Sequence, residues 1–172
     1  MTSIIKAKEE DYQLLSELAK LTFIESHGNS AKPEDINSYV TEKYSNDAMK
    51  DELSDPKNIY YIIYHDNRPA GYSKIIFDTP YLNSPIQNIT KLERIYLLKE
   101  FYNLRLGAAL FTFNVEISKE NNQMGMWLFV WKENQRAFNF YLKNGFQITG
   151  SYDFEISATH SNPNHQMFLK FT

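Results

Sequence analysis

The sequence predicts an α/β fold in which short strands alternate with amphipathic helices. Three observations carry this. The apolar run MWLFVW (Met126–Trp131) passes without a break into a helix that starts at Glu133–Asn134, keeps Ala137, Phe140 and Tyr141 on one side, and closes at Lys143-Asn144-Gly145. The runs IYYIIYH (Ile59–His65) and Ala70–Phe77 flank the turn-forming residues Asp66-Asn67-Arg68-Pro69, which makes them a hairpin. Leu106, Leu110, Phe113 and Ile117 recur at helical spacing within Asn103–Glu120.

The remaining elements follow in order. Ser3–Ala7 reads as a first strand. Glu9–His27 carries Leu14, Leu15, Leu18, Leu21, Phe23 and Ile24 at helical spacing, and Gly28 stops it. Pro33-Glu34-Asp35 opens a second helix, since proline costs least and acids help most in a first turn; Ile36, Tyr39 and Val40 follow, and the helix ends near Tyr44. Asp47–Leu53 is a short third helix ended by Asp55-Pro56, and Thr79–Pro85, with two prolines, is a loop. Asn88–Leu98 is a long strand rich in β-branched and aromatic residues. Phe146–Ile156 and His165–Phe171 close the chain as an antiparallel pair, with HSNPNH (His160–His165) read as a loop rather than a metal set, because no further ligand is spaced with its two histidines.

A chain of 172 residues is one domain by length, residues 1–172, with room for a substantial core. Its formal charge of −3 lacks the basic footprint of a nucleic-acid binder, so no nucleic-acid partner is expected. With no cysteine, a disulfide framework, a cysteine nucleophile and Cys-ligated zinc are all excluded. The N-terminal MTSIIKAKEEDYQ has no signal pattern and no apolar run reaches membrane-spanning length, so a cytoplasmic location and no membrane partner are the expectation.

Two passages from strand to helix concentrate the chemistry. In Lys91–Leu110, KLERIYLLKEFYNLRLGAAL, a strand leads through a loop into a helix whose unpaired N–H groups and dipole suit a bound anion. In Val130–Phe146, VWKENQRAFNFYLKNGF, the pattern N-x-x-A-x-x-F-Y-x-x-x-G-F resembles the last sequence block of the GNAT N-acetyltransferase superfamily. The element order resembles that superfamily over nearly the whole chain, which implies a GNAT fold: a mixed central β-sheet with helices on both faces.

The resemblance implies acetyl-CoA as co-substrate, with no metal. The family's phosphate-cradling loop reads Q/R-x-x-G-x-G/A; aligned on Gly107, this chain has Tyr102 and Arg105 at the first two marked positions. The loop and helix start, Tyr102, Asn103, Leu104, Arg105, Leu106, Gly107 and Ala108, would bind the pyrophosphate. Arg105 could pair with a phosphate or crowd the site. Ile95, Tyr96 and Leu97 would meet the pantetheine arm along the strand. Asn134 and Ala137 would meet the same arm, Asn134 also being a good N-cap, and Arg136 and Lys143 could reach the 3′-phosphate or remain solvated.

For catalysis, Glu93 matches the family's general base; its other reading is a strand carboxylate paired with Lys91 or Arg94. Tyr141 matches the tyrosine beside the coenzyme sulfur, where its hydroxyl would protonate the leaving thiolate; its other reading is a tyrosine packed on the sheet. Thr22–Gly28, Pro33–Tyr39 and Leu92–Phe101 resemble the bacterial polyamine acetyltransferases of the PaiA type. That implies a small-molecule amine substrate, held by Glu25, His27 or Glu34, with His27 either a second base or a helix-end cap. The alternatives are a protein lysine or N-terminal acetyltransferase, and a coenzyme A-binding regulatory domain without turnover. Many relatives are dimers, so a homodimer is a further expectation of the resemblance.

Overall fold

A computed structural model describes every residue from Met1 to Thr172. The strands are β1 (Thr2–Lys6), β2 (Ile59–His65), β3 (Arg68–Ile76), β4 (Thr90–Leu97), β5 (Gly125–Trp131), β6 (Gln147–Ser157) and β7 (His160–Lys170). The helices are α1 (Tyr12–His27), α2 (Pro33–Lys43), α3 (Asn46–Ser54), α4 (Leu106–Glu120) and α5 (Gln135–Lys143), with 3-10 turns at Glu9–Asp11 and Lys99–Phe101. The strands join in one mixed sheet in the order β1-β2-β3-β4-β5-β7-β6; β4 and β5 run parallel, and β1–β2, β2–β3, β5–β7 and β6–β7 pair antiparallel. No helix is long and apolar enough to cross a membrane. The chain packs as two compact units, Met1–Ile75 with Arg94–Asn114, and Ile76–Glu93 with Val115–Thr172.

In the first unit the hairpin closes more tightly than expected. Asp66 and Asn67 both take positive φ, 48° and 64°, the two-residue turn whose twist matches that of the flanking strands, and β3 starts at Arg68. Successive residues of β2 and β3 serve opposite faces. Tyr60 and Lys74 bond Glu52 of α3, whereas Tyr61 packs edge-on against Phe113 of α4 at 4.8 Å and Ser73 accepts a hydrogen bond of 2.9 Å from Asn114. Helices therefore cover both faces here. The apolar stripe of α1 buries Leu15, Leu18, Ala19 and Phe23, and Pro33 stands in the first turn of α2 as expected.

A charged cluster lies inside this unit. Arg94, only 6% exposed, donates through Nη1 to the Tyr60 hydroxyl (2.8 Å) and to Glu52 (3.3 Å), and its guanidinium lies 5.1 Å from the Tyr44 ring centre. Tyr60 donates in turn to Glu52 at 2.8 Å, and the buried Lys74 ammonium bonds the second Glu52 oxygen. Burial alone would raise the Glu52 carboxyl, but Arg94, Lys74 and the Tyr60 hydroxyl outweigh it and hold it below the usual carboxylate range.

In the second unit β7 is flanked by β5 and β6. It starts at His160, not at His165, so HSNPNH is strand rather than loop. Its Pro163 is tolerated because β5 ends at Trp131, opposite Asn164, and no β5 residue pairs with Pro163. Gly145 closes α5 at φ 95°, as the sequence predicts. The helix expected from Asn103 starts only at Leu106, because Asn103 and Arg105 adopt the left-handed conformation.

Glu52→Gln removes the one carboxylate bonded to both buried cations, so urea unfolding is expected to show a loss of about 3–5 kcal/mol. The depressed Glu52 carboxyl stabilises the fold fully above its unfolded value of about 4.3, and that share is lost as pH falls through the lower folded value. The Gln variant is expected to lack this acid-limb decline.

Candidate active site

The predicted site residues fall into two groups, one in each unit. In the first, Ile95, Tyr96 and Leu97 end β4, and the chain continues through the 3-10 turn to Tyr102 and into α4. Asn103 (φ 69°) and Arg105 (φ 60°) bracket Leu104 in left-handed backbone, just before the helix N-terminus. Alternation of this kind turns successive N–H groups into a concave, anion-binding arrangement, and the first N–H groups of α4 extend it. Arg105 thus holds the conformation for which glycine is favoured. A Cβ placed on Gly107 would meet only Leu97, at 3.4 Å, so internal packing leaves the backbone there open to close approach.

The expected acceptor residues belong to the same unit. Glu25 accepts the Lys99 N–H at 3.1 Å, which ties α1 to the turn after β4. His27 stacks on Phe23 at 4.8 Å and meets Tyr96 edge-on at 6.1 Å. Burial drops its imidazole to about 4, so it is neutral at pH 7 and a weak proton acceptor. Glu34 stays exposed in the first turn of α2. Sequence reasoning missed Gly71 of β3, where any Cβ would run into the Tyr96 carbonyl and the Leu97 side chain. It also missed the Glu52 and Tyr60 side chains that hold Arg94, since partners 42 and 34 residues away carry no local signal.

In the second unit Glu93 is half-buried, its carboxylate 3.9 Å from the Lys91 ammonium, with Oε2 closed off from solvent. Lys91 lies over the rings of Trp127 (5.2 Å) and Phe129 (5.7 Å), which fixes the sheet face of this pair. The opposite face carries Val130 and, paired with it, His165, whose ring packs at 5.0 Å on Phe138 of α5. On α5, Tyr141 is buried between Phe140 (5.6 Å) and Phe146 (5.3 Å), and burial raises its phenol so that it remains protonated. The Asn134 side chain caps the helix by accepting from the Ala137 N–H at 3.2 Å. Arg136 and Lys143 are exposed.

One unit thus carries a helix start suited to an anion, and the other a protonated phenol and a shielded carboxylate. The family model for the acetyltransferase (GNAT) family matches residues 18–146. The chain belongs to that family.

As a GNAT chain it is an acetyltransferase. It is 31% identical to an uncharacterized N-acetyltransferase of Lactobacillus delbrueckii over 142 residues, 83% of this chain and 82% of that one. A spermidine N(1)-acetyltransferase of Thermoplasma acidophilum is 27% identical over 149 residues, 84% of this chain and 88% of its own length. Among solved structures, the PaiA N-acetyltransferase of Thermoplasma acidophilum in complex with coenzyme A superposes with a TM-score of 0.80 at 23% identity, covering 99% of each chain. The GNAT fold expected from the sequence is the fold observed.

Replacing Arg105 by glycine removes a left-handed cost of about 1–2 kcal/mol, offset by about 0.5–1 kcal/mol of added unfolded-state freedom. Thermal denaturation of Arg105→Gly is therefore expected to show unchanged or slightly increased stability. A clear loss would mean that the guanidinium, rather than the backbone, anchors the loop.

Proposed function

We propose that the whole chain, residues 1–172, acts as one GNAT domain that transfers the acetyl group of acetyl-CoA to a primary amine in a ternary complex. The observation that carries this reading is the left-handed backbone of Asn103 and Arg105 (φ 69° and 60°) just ahead of α4, a geometry suited to gathering N–H groups on an anion. The residues fit the co-substrate. The N–H groups from Leu104 to Ala108 would take the pyrophosphate, the edge of β4 at Ile95–Leu97 would take the pantetheine arm, and Arg105, Arg136 and Lys143 would meet the phosphates.

In the mechanism, Glu93 takes a proton from the ammonium so that the free amine can attack the thioester carbonyl. Backbone N–H groups of β4 stabilise the oxyanion, and the buried Tyr141 phenol protonates the departing thiolate. The N–C bond forms as the C–S bond breaks, and no acyl-enzyme is needed. Much of the acceleration comes from holding amine and thioester together.

The finer reading of the acceptor is a polyamine, supported by the Thermoplasma spermidine acetyltransferase and by the N-terminal segments that resemble that subgroup. A cytoplasmic location and a homodimer belong to the same reading; edge strand β6, with Ile148 and Tyr152 exposed, offers an open ladder to a second copy.

Thiol release from acetyl-CoA across an amine panel of spermidine, spermine, diamines, amino-acid amides and a lysine peptide tests the reading. Glu93→Gln is expected to lower kcat by about 10²–10⁴-fold, the usual range for loss of a general base, with Tyr141→Phe at or below the bottom of that range. Turnover undiminished in both variants would refute these roles. Coenzyme A binding without turnover of any amine would favour the regulatory alternative.

A further inference from the structure

Lys91 and Glu93 stand two apart on β4, so their side chains leave the strand on one face. The ammonium lies 3.9 Å from Glu93 Oε1. That is an ion-pair distance and too long for a hydrogen bond. Lys91 therefore acts on the carboxylate by charge and does not itself occupy the lone pair through which Oε1 would take a proton. The second oxygen, Oε2, is shut off from solvent. Burial of this kind favours the neutral carboxylic acid, and a cation about 4–6 Å away favours the carboxylate. A carboxyl that already carries its proton cannot take one from an ammonium.

Lys91 is itself held. A lysine stem is flexible and orders a neighbour only when something orders the lysine. Here the ammonium lies 5.2 Å from the centre of the Trp127 ring and 5.7 Å from that of Phe129, and these two rings meet edge-on at 5.1 Å. The register makes the contact direct, since Lys91 pairs with Trp127 across the parallel β4–β5 ladder. The Trp127 indole donates to the Thr79 carbonyl at 2.6 Å, and Tyr152 stacks on Phe129 at 4.6 Å. The rings beneath the ammonium are thus braced by the loop after β3 and by β6.

The same face names the other groups around the pair. Strand β5 brings Trp127 and Phe129, and β7 brings Phe168 and Gln166 opposite them. Strand β6 adds Tyr152, and the loop after β3 adds Tyr81, edge-on to Trp127 at 5.8 Å. On β4 the next residue, Arg94, is bonded to Glu52 and Tyr60. Tyrosine and arginine do not change charge in the acid range, so the Lys91–Glu93 pair governs what titrates there.

We infer that Lys91 is a positioning residue that keeps the Glu93 carboxylate ionised and in place, and so sets the lower pH limit of the transfer. The inference rests on the proposed reading of Glu93 as the base and names the group that regulates it.

Lys91→Met tests it, because the thioether keeps the length and the contact with the rings while the charge is lost. One measurement is the titration of the Glu93 carboxyl, followed by carbon-13 NMR and assigned by its absence in Glu93→Gln. Its midpoint is expected to rise by about 1–3 pH units in Lys91→Met and to stay within about half a unit of the wild type in Lys91→Arg. The other is kcat/KM against pH for the best acceptor of the amine panel. The acid limb is expected to move up by the same interval. Below both midpoints Lys91→Met is then at least about tenfold slower than the wild type; at pH about 8 the two agree within about threefold, and KM for acetyl-CoA stays within about twofold. An unmoved midpoint in Lys91→Met overturns the inference, whatever the rates do. A midpoint that moves while the acid limb stays, or while no amine is turned over, supports the role of Lys91 and refutes, separately, the reading of Glu93 as the base. Should Lys91→Met fail to fold, Lys91→Gln carries the same expectations.

Discussion

Arg94 sits between Glu93 and Ile95 on β4, and its guanidinium is held by hydrogen bonds to Tyr60 and Glu52 and by the ring face of Tyr44. A guanidinium removed from water is costly unless each of its partners is in place. This cluster therefore anchors β4 at the residue flanked by the proposed base and the proposed acyl-binding backbone. Gly71 complements it by letting β3 press against the Tyr96 carbonyl, where a side chain would push β4 away. The precision that the chemistry requires of β4 comes from groups that take no part in the reaction.

The loop before α4 shows how a fold can hold a backbone conformation without the residue that makes it easy. Glycine reaches positive φ freely, and arginine does so at a cost. Here the cost is met by what surrounds the loop, since the 3-10 turn before it and α4 after it both have their own hydrogen bonds, Tyr102 N–H to Lys99 and Ala109 N–H to Arg105 among them. Arg105 directly precedes α4, where the proposed phosphate site would make use of a cation.

The sequence carried the local parts of this structure. The β5–α5 passage was legible because one periodicity gives way to another at Asn134 and a glycine at positive φ ends the helix. The order of the elements and the placing of Tyr141 and Glu93 followed from it and from the family resemblance. The Glu52–Arg94–Lys74 cluster was not legible, because its members come from three separate elements and nothing local marks them as partners. HSNPNH misled for a different reason: Ser, Asn and Pro are turn residues by propensity, and only the end of β5 beside Pro163 makes a strand acceptable there. The helix start at Leu106, rather than Asn103, reflects left-handed residues that periodicity does not reveal.

The chain has two tryptophans, Trp127 and Trp131, and their alternate spacing on β5 puts both indoles on the face shared by Lys91, Phe129 and the β7 asparagines. One indole is tethered through Nε1 to the Thr79 carbonyl at 2.6 Å, and the other belongs to the residue opposite Asn164. Tryptophan emission, excited at wavelengths beyond the absorption of the twelve tyrosines, is therefore the signal of a single surface. It is a built-in optical reporter that follows the wetting and drying of that face without any label.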